Sequence, residues 1–170
     1  MTRAMIIGNA GGGKSTLCAA IAARHELPHL AVDQIQWGPG WSAVDPGEVE
    51  AIHETWLARD RWLIDSFGAS DLVAARMDAA DTIIFVDHPF RVHLWWATKR
   101  QVRSIFFGRD DAPVGCRMWP VTFRLYAMML RFHRRARPWL KQEINRRADS
   151  ARIIHIRSPK ELAAFAADPA

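Results

Sequence analysis

The sequence predicts an α/β protein in which a parallel sheet is covered by helices on both faces. Three observations predict it. Short apolar runs rich in Ile and Val alternate along 170 residues with longer segments of helical spacing. The first of these runs leads directly into Gly8-Asn9-Ala10-Gly11-Gly12-Gly13-Lys14-Ser15, a glycine-rich loop that opens a helix. Three apolar runs end in aspartate, at Asp33, Asp65 and Asp87. A parallel sheet gathers its ligands at that carboxyl edge.

Each element has a local reason. Ala4 to Gly8 is the first strand, and the Ala- and Leu-rich stretch from Thr16 runs as a helix to about His25. Leu30 to Asp33 reads as a short second strand, followed by the loop Gln36-Trp37-Gly38-Pro39-Gly40-Trp41. Asp45-Pro46-Gly47-Glu48 opens a helix with a capping carboxylate, a proline at the first position and an acid in the first turn. Val49, Ile52, His53 and Trp56 form its buried stripe. Arg61 to Asp65 and Thr82 to Asp87 are the third and fourth strands. A long helix runs from Pro89 through Phe107, with Val92, Trp95, Trp96, Val102 and Phe106 expected inward. A polar, Gly-bounded loop covers residues 108 to 116, and a second long helical region after it is interrupted near Pro138. Ile153 to Ile156 is the fifth strand, and Ser158-Pro159-Lys160-Glu161 is a capping box for the last helix. No linker or internal repeat divides residues 1–170, so one domain is expected.

The glycine-rich loop carries the most specific chemistry. Its backbone amides cradle the β- and γ-phosphates of a nucleotide, Lys14 adds a point charge, and the Ser15 hydroxyl coordinates magnesium. Average residue usage would produce the pattern in roughly one chain of this length in two hundred. Gly8 through Thr16 are therefore the expected nucleotide-binding residues, with ATP and Mg2+ as cofactors.

Phosphoryl transfer also needs a metal-side carboxylate, a group that orients the acceptor, and cations for the transferring charge. Asp65 is the expected magnesium carboxylate, acting through water. Asp87 is the alternative, although Pro89 follows closely and Asp87 can simply cap the next helix. Asp33 is the candidate for orienting or deprotonating an acceptor hydroxyl. Arg100 and Arg103 lie one helical turn apart, and Arg109 lies in the Gly-bounded loop, where closure would bring its charge to the triphosphate. Arg76 can reach an anionic acceptor or pair with Asp78 at the surface. Trp37 and Trp41 stand where an acceptor would enter, ready to stack on a base or sugar or to pack on the following helix. Arg124, Arg131, Arg134, Arg135 and Arg137 form a basic face opposite Leu125, Met128, Met129 and Phe132, the latter expected in the core.

Composition sets outer bounds. Hydrophobic residues make up 49 % and charged residues 24 %, an ordinary globular balance. The net charge of +5 suits either polyanionic nucleotides or a nucleic-acid surface. Two widely separated cysteines indicate neither a disulfide framework nor a zinc site, and Cys18 reads as a core residue. No apolar stretch approaches the ~20 residues needed to span a bilayer, and the first strand begins too early for a signal peptide. A cytoplasmic location is expected.

With these residues assembled, nearly the whole chain resembles the adenylate-kinase-related P-loop proteins labelled topology-modulation (FlaR-like) proteins. The resemblance rests on the glycine-rich loop, Val32-Asp33 followed by Trp37, Trp62-Leu63-Ile64-Asp65, and Ala80 through Pro89. It extends to Arg109-Asp110 followed by Gly115-Cys116, and to Ser158-Pro159-Lys160-Glu161. It implies a P-loop NTPase fold of nucleotide-kinase type, with strand order 2-3-1-4-5, a short lid at about 107–117 and an acceptor region at about 34–60. That order sets strand three beside the P-loop strand, which favours Asp65 for magnesium. The resemblance also implies that adenine rests near Arg157, Ser158 and Pro159. The chain departs from the expected pattern at Gln34, Ser66 and Arg117-Met118.

The resulting expectation is a kinase that moves the γ-phosphoryl group of Mg-ATP to a small acceptor, either a nucleotide or a sugar or cyclic acid. The alternative is a regulatory NTPase or nucleotide-dependent DNA-binding protein using the basic 124–137 face.

Overall fold

The computed structural model describes residues 1–107 and 121–169. Five strands, β1 (Arg3–Gly8), β2 (His29–Ala31), β3 (Trp62–Asp65), β4 (Thr82–Val86) and β5 (Arg152–Ile156), form one parallel sheet in the order β2-β3-β1-β4-β5. The helices are α1 (Lys14–His25), α2 (Val32–Gln36), α3 (Pro46–Leu57), α4 (Ser70–Ala79), α5 (Phe90–Phe107), α6 (Thr122–Arg131), α7 (Arg137–Arg146) and α8 (Pro159–Ala167). The expected α/β architecture and strand order are both present.

Strand β1 is central, with β3 on one side and β4 on the other, and its side chains are buried on both faces. That position requires the unbroken apolar run that made it legible. Alternation along the strands divides the interior in two. Met5, Ile7, Ile64, Ile83 and Phe85 pack under α4 and α7 with Val73, Met77, Leu140 and Ile144. Ala4, Ile6, Leu63, Ile84 and Val86 pack on the other face with Leu17, Cys18 and Ile21 of α1 and Leu162 of α8. The two predicted caps are formed. The Asp45 carboxylate accepts from the amides of Gly47 (2.9 Å) and Glu48 (3.3 Å). Ser158 Oγ accepts from the Glu161 amide at 3.2 Å while the Glu161 carboxylate reaches the Arg157 amide at 2.8 Å.

Three expectations are corrected. The second strand is shorter than expected, because the chain turns into α2 at Val32 and carries Asp33 on that helix. On α5, Trp95 (66 % exposed), Val102 and Phe106 (74 %) face solvent, whereas His93, Ala97 and Gln101 are buried. The helix backs onto the glycine-rich loop, where a small side chain and hydrogen-bonding groups fit better than large apolar ones. On α6, only part of the apolar stripe reaches the core: Met129 is fully buried but Met128 is largely exposed. A π-helical turn over Phe132–Ala136 separates α6 from α7, and Pro138 sits in the first turn of α7.

Asp81 fixes the start of the sheet. Its carboxylate accepts from the Thr2 amide (2.7 Å), the Thr2 hydroxyl (2.6 Å), the Arg3 amide (2.8 Å) and the Thr82 hydroxyl (2.6 Å). Burial alone would raise its pKa, but the bonds from Thr2, Thr82 and Arg3 hold it down at about 2. The stability it contributes is therefore complete above its ordinary pKa of 3.8 and is lost as pH falls through about 2. Asp81→Ala should destabilise the fold by ~1 kcal/mol at neutral pH and flatten the acid limb of unfolding followed by near-ultraviolet circular dichroism.

Candidate active site

The glycine-rich loop lies at the carboxyl edge of β1 and ends where α1 begins. Gly13 precedes that helix without a side-chain cap, and no acid stands in its first turn. The first amides of α1, at the positive end of its dipole, are thus available to an anion. Lys14 Nζ donates to the Asn9 carbonyl at 2.9 Å, so its side chain arches over the loop. Burial lowers the pKa of Lys14, the charges of Asp33 and Asp65 oppose that, and Arg100 reinforces it. A triphosphate fits this arrangement: open amides, a lysine at the mouth and hydroxyls at Ser15 and Thr16, both exposed.

The loop is anchored from distant parts of the chain. Asn9 Nδ2 donates to the Met129 carbonyl of α6 at 2.9 Å, and Asn9 Oδ1 accepts from the Ala10 amide at 2.9 Å. His93 Nδ1, on α5, lies 3.1 Å from the Ala10 carbonyl and bonds it as an N–H donor. Burial, followed by the charges of His88 and Lys14, lowers the His93 pKa to about 4. The native state therefore binds fewer protons at this site than the unfolded chain, whose imidazole titrates at 6.5. The stability that follows is complete above about pH 6.5 and is lost as pH falls toward about 4. The midpoint of thermal unfolding should drop across that window, and His93→Gln should shrink the drop.

Four of the expected site residues come together around the loop. The charges of Asp33, Asp65 and Arg100 all act on Lys14, and those of Asp33 and Asp65 also act on Arg76. Asp65 is buried at the end of β3. Its Oδ2 accepts from Cys18 Sγ at 3.3 Å, its Oδ1 accepts from Ser66 Oγ at 3.3 Å, and His29 Nε2 stands 3.7 Å from Oδ1. Burial raises the Asp65 pKa, but the neighbouring His29 imidazole and the Lys14 charge outweigh it and hold the carboxyl below its ordinary value.

Asp87 is engaged elsewhere. Arg137 binds it through Nε (2.5 Å) and a terminal nitrogen (3.0 Å), with Lys141 Nζ at 3.2 Å and His155 Nε2 at 3.1 Å. This network ties α7 to the end of β4. Arg76 is fully buried and donates to the carbonyls of Ser66 (2.9 Å), Leu72 (3.2 Å) and Phe67. Its alternative partner, Asp78, pairs instead with Arg147 at 2.7 Å. Arg103 is solvent-exposed on α5. Arg109 and the expected lid at 107–117 fall, from residue 108 onward, outside the described residues.

On the acceptor side, residues 36–44 fold back on themselves through Gly38 N to Ser42 O (2.8 Å) and Val44 N to Gln36 O (3.1 Å). Trp37 and Trp41 meet edge to face at 6.2 Å, and the Arg124 guanidinium lies over Trp37 at 5.9 Å. At the far end, Arg157 Nε donates to His155 Nδ1 at 3.3 Å, and Pro159 opens α8.

Sequence reasoning did not find the anchors Asn9–Met129 and His93–Ala10, the Cys18 and His29 partners of Asp65, or the cations on Asp87. The i, i+4 spacing of His93 and Ala97, which sets them on one face of α5, is a usable signal for the His93–Ala10 anchor. The other partners are separated by dozens of residues with no repeating spacing.

No protein-family model matches the chain, and no curated protein matches it. The likeness to topology-modulation proteins therefore rests on its motifs alone. Solved structures do match. A shikimate kinase from Acinetobacter baumannii in complex with shikimate aligns with a TM-score of 0.62 at 12 % identity, covering 99 % of this chain and 90 % of that one. A sugar kinase from Janibacter sp. HTCC2649 aligns at 0.53 and 16 % identity, covering 97 % and 93 %. A gluconokinase from Sinorhizobium meliloti 1021 aligns at 0.51 and 17 % identity, covering 99 % and 93 %. The chain shares its fold with these three kinases. Among the described residues, no helix is long and apolar enough to cross a membrane.

Proposed function

We propose that this protein is a small-molecule kinase that transfers the γ-phosphoryl group of ATP to a hydroxyl of a small acceptor. The observation that carries the reading is the juxtaposition at the end of β1. Lys14 and the open amides of α1 stand in the field of two separate carboxylates, Asp33 and Asp65.

Lys14 and the loop amides hold the phosphates, and Ser15 with Asp65, through water, holds magnesium. Bound there, magnesium would neutralise charge on the phosphate oxygens. Asp33, exposed on α2, orients the acceptor hydroxyl and accepts its proton as the acceptor oxygen bonds to the γ-phosphorus. The bond from that phosphorus to the β–γ bridging oxygen breaks, and ADP leaves with the electron pair. Arg100, with Arg103 and the lid residue Arg109, meets the charge of the transferring group. Arg76 acts on the acceptor side as a fixed positive charge behind Asp33, and Trp37 forms one wall of the acceptor pocket. Adenine is assigned to the start of α8, at Arg157 and Pro159.

The fold neighbours favour a hydroxylated metabolite over a nucleotide as acceptor, since they are named for shikimate, sugar and gluconate. A nucleic-acid role is less well supported. Arg124 is turned over Trp37 and Arg137 is bound to Asp87, which leaves only part of the basic segment facing outward.

The test is ADP release from Mg-ATP across a panel of nucleoside monophosphates, sugars and hydroxylated carboxylic acids. One hydroxylated metabolite should accelerate release strongly. Asp33→Asn should keep ATP affinity and lose acceptor-stimulated turnover by ~100-fold. Unchanged turnover in that variant would remove Asp33 from the mechanism, and release indifferent to every acceptor would refute the kinase assignment.

A further inference from the structure

Behind the loop, three side chains from three different elements converge. Cys18 comes from α1, one turn past Ser15, while His29 opens β2 and Asp65 closes β3. The parallel register pairs His29 with Leu63 and Ala31 with Asp65, so the histidine and the carboxylate project from the same face of the sheet, toward α1. Cys18 Sγ lies 3.3 Å from Asp65 Oδ2 and His29 Nε2 lies 3.7 Å from Asp65 Oδ1. One ligand atom of each residue lies within 4.8 Å of the other two.

We propose that Cys18, His29 and Asp65 form a binding site for a divalent cation of the zinc class. Ligand atoms bound tetrahedrally at zinc distances stand about 3.5 Å apart. The contacts of Cys18 and His29 reach different oxygens of Asp65, so with either oxygen as ligand one separation already fits, and side-chain rotation within the 4.8 Å cluster closes the others. The donor set is one sulfur, one imidazole nitrogen and one carboxylate oxygen. Such a set selects zinc-like ions over magnesium or calcium, which prefer all-oxygen sites. Cys18 and Asp65 are held in the core at 0 % and 3 % exposure, which preorganises two ligands. The His29 side chain is 32 % exposed and gives both an entry path and room for water as the fourth ligand. Without metal, Cys18 hydrogen-bonds Asp65 and His29 stands beside the other carboxylate oxygen. On binding, the thiol proton passes to solvent, and the thiolate and carboxylate together balance the two positive charges. Cysteine spacing alone conceals the site, because the ligands are brought together only by the sheet.

Asp65 is also the carboxylate assigned above to magnesium. A zinc-class ion in this site would withdraw it and inhibit turnover. That consequence rests on the kinase reading; the existence of the site does not.

Cobalt(II) titration of the full, reduced chain without oxygen tests the proposal directly, since a thiolate–cobalt bond gives a charge-transfer band in the near ultraviolet. We expect the band to saturate at one equivalent and to be discharged by one equivalent of zinc. Cys18→Ala should abolish it, Cys116→Ala should retain it, and His29→Ala should weaken cobalt binding at least tenfold. His29→Gln serves as a second variant at the partly exposed position, with circular dichroism reporting the fold of each. A wild-type chain without the band would overturn the proposal. So would a band that survives Cys18→Ala or disappears with Cys116→Ala, or His29 variants that bind cobalt as tightly as the wild type. A protein that shows the band but no acceptor-stimulated turnover would retain the metal site and lose the kinase reading; the reverse result would do the opposite.

Discussion

Lys14→Ala should lower ATP-dependent turnover by about 10²–10³-fold while leaving the protein folded. The argument has two halves. In the first, Lys14 is the one cation contributed by the loop itself. It sits over the Asn9 carbonyl at 2.9 Å, where a bound triphosphate would replace that neutral acceptor with charged phosphate oxygens. Interactions of this kind strengthen as charge develops on the transferring group and are felt most in kcat. In the second half, removing the ammonium should cost the fold little. Burial works against the charged form of Lys14, and Arg100 adds to that, with the charges of Asp33 and Asp65 chief among those in its favour. Removing a cation so placed relieves desolvation while sacrificing one hydrogen bond to a backbone carbonyl. Turnover and the unfolding midpoint should therefore separate cleanly: a large loss in the first, little change in the second. Turnover within threefold of the wild type would mean that the loop binds nucleotide without using its lysine, and the phosphotransfer reading would fall with it.

The loop, four of the five strands and both predicted caps were legible because each is encoded over consecutive residues. β1, β3 and β4 lie inside a parallel sheet, so their sequences read as apolar runs whatever packs on them. Asp45 and Ser158 satisfy amides two or three residues away, and that spacing is visible in the chain itself. The failures share a different cause. Val32 and Asp33 continue a strand-like run but turn into α2, because β2 is an edge strand with a partner on one side only. The buried face of α5 was misassigned because hydrophobicity points to Trp95 and Phe106, whereas contact with the loop backbone selects His93 and Ala97. Three carboxylates at strand ends looked alike in sequence. Only the fold distinguishes Asp87, bound by Arg137, Lys141 and His155, from Asp65, which faces α1 and Cys18. The strand order itself came from family resemblance rather than from residue patterns.

Gly11→Ala should damage both the fold and the nucleotide site. Gly11 has φ +67°, a left-handed conformation that disfavours any side chain by ~1 kcal/mol or more. The conformation is the smaller part of the effect. A Cβ at Gly11 would stand 2.3 Å from the His93 carbonyl oxygen and 2.9 Å from the Ala97 amide nitrogen, both backbone atoms of α5. Neither can rotate away. The loop and the helix would have to separate, breaking the His93–Ala10 bond and displacing the amides that cradle phosphate. Gly40→Ala provides the internal control, because Gly40 has φ +65° and nothing within 4 Å of an added Cβ. It therefore reports the conformational cost alone, without the collision. Gly40→Ala should lower stability by ~1 kcal/mol and leave nucleotide affinity unchanged. Gly11→Ala should lower stability by ~3 kcal/mol or more and weaken ATP binding by at least tenfold, measured by denaturant unfolding and calorimetry. If the two variants proved equally stable, the close approach of α5 to the loop would not be what holds the phosphate cradle in shape. The difference between them measures how much the fold depends on bringing a helix backbone against a glycine, a requirement that nothing in the loop motif itself expresses.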